Sequence, residues 1–131
     1  MSKTRTVVLS VFAALLALAT VLPSSLDAGA FHTRLVKSEP MKDSTVTVAP
    51  TALKLYFSEP VKPAIAGVRL LSSDSSVVTL GTLSSGEGTP GPIVAPITGA
   101  IKSGTYRVMW RVAGNDGHPV TGTYVFTVKT P

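Results

Sequence analysis

The sequence predicts an all-β chain folded as an antiparallel sandwich, and three observations carry that expectation. A long hairpin with period-two alternation runs from Tyr106 to Phe126. Upstream of it lie several short apolar or β-branched runs, separated by Pro, Gly and Ser clusters. No segment after residue 30 shows a helical period. Period two marks half-buried strands, because successive side chains point to opposite faces. Six or seven such strands with regular turn signals suit two packed antiparallel sheets. The 131 residues are enough for one domain and too few for two.

The first thirty residues stand apart. Lys3 and Arg5 precede an apolar run over 7–19, followed by Pro23 and the small residues Ala28-Gly29-Ala30. A basic start, a short apolar centre and an Ala-x-Ala end describe a secretory signal peptide. The run is short for a membrane anchor, which usually needs about twenty apolar residues. Residues 1–30 are therefore expected to be a signal peptide, cleaved after Ala30 or after Phe31, with 31–131 as the folded domain. Without Lys3, Arg5 and Asp27 the domain keeps ten basic and six acidic side chains, formally +4.

The elements follow in order. Residues 45–48 are β-prone and end at Pro50. Residues 52–57 alternate, with Leu53, Leu55 and Phe57 inward, and stop at Ser58-Glu59-Pro60. A third strand is expected over 67–71, a polar turn over 72–76 and a fourth strand over 77–80. Residues 84–92 read as a flexible loop. Residues 93–97 read as an edge strand, since Pro96 cannot donate to a ladder. The long hairpin then places Tyr106, Val108, Trp110 and Val112 on one face of its first arm and Tyr124, Phe126 and Val128 on one face of its second. Trp110, Phe57, Tyr124 and Phe126 are the expected large core residues.

Several function classes are excluded. With no cysteine there is neither a disulfide framework nor a thiolate metal site. Gly86 and Gly88 sit in a Pro-rich stretch without a following helix, so they make no phosphate loop. No nucleophile elbow is present. The basic residues are scattered along the chain without interleaved aromatics, which argues against a nucleic-acid partner. Met41 and Met109 are isolated, so no methionine-rich Cu(I) site is visible.

Two features point to a metal. Asn115-Asp116-Gly117 is a strong turn signal between the hairpin arms. His118 follows, so a carboxylate and an imidazole leave one short loop at the end of a stiff hairpin. Asp116 could equally serve only to shape that turn by accepting backbone donors. The second feature is His32, the other of the chain's two histidines. Cleavage after Phe31 would make it the first residue and cleavage after Ala30 the second. A free α-amine, with a pKa of about 7.7–8.0, would then stand beside an imidazole as a chelate for a divalent metal. In second place the intervening peptide nitrogen could join, once the metal displaces its proton. Tyr106 and Tyr124 are expected to donate hydrogen bonds that pin the loop.

Four blocks then make the chain similar to the copper-resistance protein CopC family. His32-Thr33-Arg34-Leu35-Val36-Lys37-Ser38-Glu39-Pro40 resembles the family opening, and Leu55-Tyr56-Phe57-Ser58-Glu59-Pro60-Val61 its Leu-x-Phe-Ser-Glu-Pro-Val strand end. Gly104-Thr105-Tyr106-Arg107-Val108-Met109-Trp110-Arg111-Val112 and Asp116-Gly117-His118-Pro119-Val120-Thr121-Gly122-Thr123-Tyr124-Val125-Phe126 resemble its last two. The blocks occur in order and span nearly all of the domain.

The resemblance implies a Greek-key β-sandwich or barrel, immunoglobulin-like or cupredoxin-like, exported to the periplasm or another extracytoplasmic space. It implies no enzyme but a Cu(II)-binding protein for copper buffering, transport or resistance, with a single Cu(II) site. The implied ligands are His32, Asp116 and His118, with Glu59 near them as a weak ligand or a support. A CopD-like membrane copper transporter is the implied partner. Some relatives carry a methionine-rich Cu(I) loop where 72–76 is short and polar here, so a Cu(II)-only member is expected. Two rivals remain at this level. One is a metal-free immunoglobulin-like interaction module. The other is an oxidative copper enzyme built on an N-terminal histidine, against which Asp116 would occupy a coordination position.

Overall fold

The computed structural model describes residues 32–131; the expected signal peptide and its cleavage site lie outside them. Among the described residues nine strands form two sheets: β1 (Leu35–Glu39), β2 (Thr45–Val46), β3 (Ala52–Phe57), β4 (Gly67–Ser72), β5 (Val77–Val78), β6 (Ser84–Ser85), β7 (Ile93–Pro96), β8 (Gly104–Ala113) and β9 (Pro119–Val128). One sheet has the order β1-β3-β7-β6 and the other β2-β9-β8-β4-β5. The all-β sandwich is as expected, with a single 3₁₀ turn at Pro63–Ile65 as the one helical piece described.

The inward faces follow the alternation. Leu53, Leu55 and Phe57 of β3 meet Tyr106, Val108, Trp110 and Val112 of β8 and Tyr124, Phe126 and Val128 of β9 in one buried core. Phe57 and Trp110 pack edge to face with centroids 5.2 Å apart. Tyr106 stacks on Phe126 at 5.6 Å. Burying large apolar side chains is the main drive for closing the two sheets.

Four expectations are corrected. Residues 93–97 are not an edge strand: β7 lies between β3 and β6. Pro96 is tolerated because β6 pairs only with Ile93 and Val94, so no ladder bond on that side needs its missing N–H. The expected loop over 84–92 contributes the true edge, β6. The strand β1 went unrecognised because its pattern is broken by a register shift between Leu35 and Lys37, which leaves Val36 exposed. Finally, β2 pairs with β9 in parallel, within an otherwise antiparallel sandwich.

The topology puts four strand ends at one end of the sandwich. Leu35 at the start of β1 pairs with Phe57 at the end of β3. The last hairpin pair, Ala113 with Pro119, closes the loop 114–118.

Candidate metal centre

The loop is a tight four-residue turn. Gly117 N–H donates to the Gly114 carbonyl at 3.0 Å, and Gly117 takes φ +75°, a left-handed conformation that glycine adopts without a Cβ clash. Asp116 then turns its carboxylate back on the loop. Its Oδ1 accepts the His118 backbone N–H at 3.0 Å, and its Oδ2 lies 3.2 Å from His118 Nδ1. The turn-shaping role and the pairing with His118 are thus both present. His118 and Asp116 side chains are 77% and 41% exposed, so both are open to an ion from solution.

The His118 N–H, then its ring, hold the Asp116 carboxyl below the usual carboxylate range, against a small opposing effect of desolvation. The charges of His118 and His32 lower it further. Among the described residues, however, no three His, Cys, Asp or Glu side chains stand close enough to form a finished metal cage. The structure assembles the Asp116–His118 half and leaves His32 as an exposed neighbour.

Glu59 has a different position. The Thr33 hydroxyl donates to Glu59 Oε1, and Thr33 is buried. A second clasp joins the same strands: Ser58 N–H donates to the Arg34 carbonyl at 2.9 Å and Arg34 N–H to Ser58 Oγ at 3.0 Å. Gly114 closes over this pair. A Cβ there would come within 2.0 Å of Glu59 Oε1 and 2.2 Å of Thr33 Oγ1, so that position accepts no side chain without moving them. Thr33 and Gly114 were missed in the sequence, where nothing but their adjacency to His32 and to the turn hinted at a role.

The tyrosine expectation fails. The Tyr106 hydroxyl donates to the Lys102 carbonyl at 2.8 Å and accepts the Lys102 N–H at 2.9 Å, pinning residues before β8. The buried Tyr124 hydroxyl has no hydrogen-bond partner among the described residues. Neither ties down the Asp116 loop.

The paired side chains, an imidazole and a carboxylate without sulfur, are nitrogen and oxygen donors of the kind that hold divalent ions. Comparison with known proteins places the chain in a family. The CopC domain family model matches residues 35–129. Copper resistance protein C of Escherichia coli is 35% identical over 105 residues, covering 75% of this chain and 82% of that one. Among solved structures, CopC from Methylosinus trichosporium OB3b superposes with a TM-score of 0.68 at 31% identity, over 76% of this chain and 95% of that one. PcoC, a methionine-rich copper resistance protein from Escherichia coli, superposes with a TM-score of 0.67 at 36% identity, over 75% and 99% respectively.

Proposed function

Because the chain belongs to the CopC domain family, we propose that it is an exported copper-binding protein holding one Cu(II) ion at His32, Asp116 and His118. The observation that carries this reading is the preformed Asp116–His118 pair, exposed at the end of the hairpin. In this reading the signal peptide ends just before His32. The released amine and both imidazoles then supply nitrogen, and Asp116 supplies oxygen. The Irving–Williams order favours Cu(II) over zinc at such a site. Glu59 acts by fixing Thr33, and hence the residue before it. The protein buffers copper outside the cytoplasm or carries it to a membrane transporter of the CopD kind, and does no chemistry on it.

The test is a Cu(II) titration of the protein as its host exports it, read by calorimetry and electron paramagnetic resonance. One ion per chain with nitrogen hyperfine structure is expected. His118→Ala and His32→Ala should each weaken binding at least about tenfold, the lower end of the 10–100-fold cost of disturbing a metal site's supporting groups. Circular dichroism should stay unchanged, since both side chains are exposed. Unchanged affinity in either variant overturns that ligand. Because protons compete for the same donors, affinity should also fall between about pH 8 and pH 5.

A further inference from the structure

Charge scattered along the sequence is gathered by the fold. The outward positions of the five-stranded sheet are Gly67, Arg69 and Leu71 on β4, Thr105, Arg107, Met109 and Arg111 on β8, and alternate residues from Thr121 to Thr127 on β9. They include three arginines and no carboxylate. Three of the domain's four net positive charges thus stand on one face. Register fixes their spacing. Arg69 pairs with Met109, and Arg107 and Arg111 flank that methionine along β8. Arg69 therefore lies on the diagonal to both, about 7–8 Å away between backbones.

The other sheet is the internal comparison. There Lys37 and Lys54 both reach Glu39, at 2.8 and 3.7 Å, and Lys37 also caps the Tyr56 ring. On the arginine face no ion pair forms among the described residues: Asp74, in the β4–β5 turn, accepts from Ser72 and Ser76, and Asp43, in the turn before β2, sets its N–H on the Val125 carbonyl, with Val125 opposite Arg107. Beside Arg69 and Arg111 runs an open groove of about 460 Å³, lined also by Met109, Thr121 and Thr123 over an apolar floor. Met109 is 38% exposed in it.

We infer that this face docks on an anionic phospholipid leaflet, with Arg69, Arg107 and Arg111 on headgroup phosphates and Met109 against the acyl boundary. Guanidinium forks match phosphate oxygens in pairs. A protein partner fits less well. The stretch shared by β4, β8 and β9, with its edge strands, measures about 20 Å by 20 Å from strand spacing and rise, roughly half of the ~800 Å² per partner of an ordinary protein interface. A membrane makes no such demand on area. The attraction is weak and reversible, about fivefold in partition for each basic side chain near an anionic surface. Arg111 and Thr121 lie next to the 114–118 loop, so the hairpin that carries Asp116 and His118 would be held beside the leaflet. The inference stands without copper.

The experiment is co-sedimentation of the exported protein with vesicles of equal phosphatidylglycerol and phosphatidylcholine in low salt. The wild type should pellet with these vesicles, not with pure phosphatidylcholine, and should be released at high salt, where the Debye length falls to about 3 Å. Each single Arg→Gln variant should lose about fivefold and the triple variant about a hundredfold. The triple Arg→Lys variant should bind between the wild type and the triple Gln variant, since it keeps the charge and loses the paired guanidinium contacts, and circular dichroism should match throughout. Equal sedimentation of wild type and triple Gln variant overturns the inference. So does a wild type that ignores the vesicles, and capture on immobilised poly-glutamate without vesicle binding would give the face to an acidic protein instead.

Discussion

Tyr124 shows how one atom can set a protein's response to pH. Its ring fills the core, yet its hydroxyl finds no hydrogen-bond partner among the described residues. Burial pushes its pKa up to about 12, with the nearby Ser38 hydroxyl opposing the shift. The folded state therefore keeps the phenol proton after the unfolded chain has lost it. The group's contribution to stability is complete below its ordinary pKa of about 10 and disappears as pH rises towards about 12. Tyr124→Phe should flatten that alkaline loss, measured by urea unfolding across the window. Near neutrality the same variant should change stability by less than about 1 kcal/mol, because the hydroxyl makes no well-formed hydrogen bond and has only a weak interaction with Ser38 to lose. A large loss at neutral pH would mean that the hydroxyl has a partner. Gly114 makes a second argument at this scale. Its missing Cβ is what lets the hairpin end lie on Thr33 and Glu59. Gly114→Ala should displace that pair and cost about 1–3 kcal/mol, as overpacking does, with copper binding weakened in step. Undiminished stability and affinity would show that the contact yields freely.

The β8–β9 hairpin is the element on which both sheet and site depend, and its least conspicuous residue explains its shape. Gly122 pairs with Trp110 across the ladder. The indole lies across the glycine so closely that a Cβ would sit 2.3 Å from its Cζ2 and 2.6 Å from its Cε2. A rigid, buried ring cannot step aside as a flexible side chain can. Gly122→Ala should therefore cost at least about 1–3 kcal/mol, with a changed Trp110 emission spectrum in the native state. Wild-type stability and emission together would show that the ring has room. The hairpin was legible in the sequence because its alternation is unbroken and its turn chemistry strong. The strand β1 was not, because a bulge at Val36 destroys the period on which such a reading relies. The strand β7 was placed at an edge because Pro96 hides which neighbours it has. Only pairing shows that β6 stops short of it.

At the scale of the whole molecule the two sheets meet at the end that carries Asp116 and His118 through contacts that no local pattern announces. Residues 32–34 lie against the end of β3 through Thr33–Glu59 and Arg34–Ser58, and the hairpin reaches the same place through Gly114. The sequence exposed the candidate donors, since the chain has only two histidines and both fall in recognisable blocks. It could not show that Asp116 and His118 form a pair while His32 stands apart, which is a matter of loop geometry. That arrangement has a thermodynamic consequence. An ion that bridges the start of the domain and the β8–β9 hairpin binds only the folded chain, because unfolding separates its donors by more than eighty residues of sequence. Such binding stabilises by about 2.7 kcal/mol when free ligand is a hundred times its dissociation constant. For a domain of this size each kcal/mol raises Tm by about 4–8 °C, so saturating Cu(II) should raise it by roughly 10–20 °C. Calorimetric scans with and without Cu(II), before and after adding a chelator, measure this directly. Zn(II) at the same concentration should give a smaller shift, following the Irving–Williams order. His118→Ala should abolish the copper shift while leaving the metal-free Tm in place, because its exposed side chain packs against nothing in the core. A copper shift that survives in His118→Ala would place the ion elsewhere on the fold, and a metal-free Tm that collapses would make His118 a structural residue first.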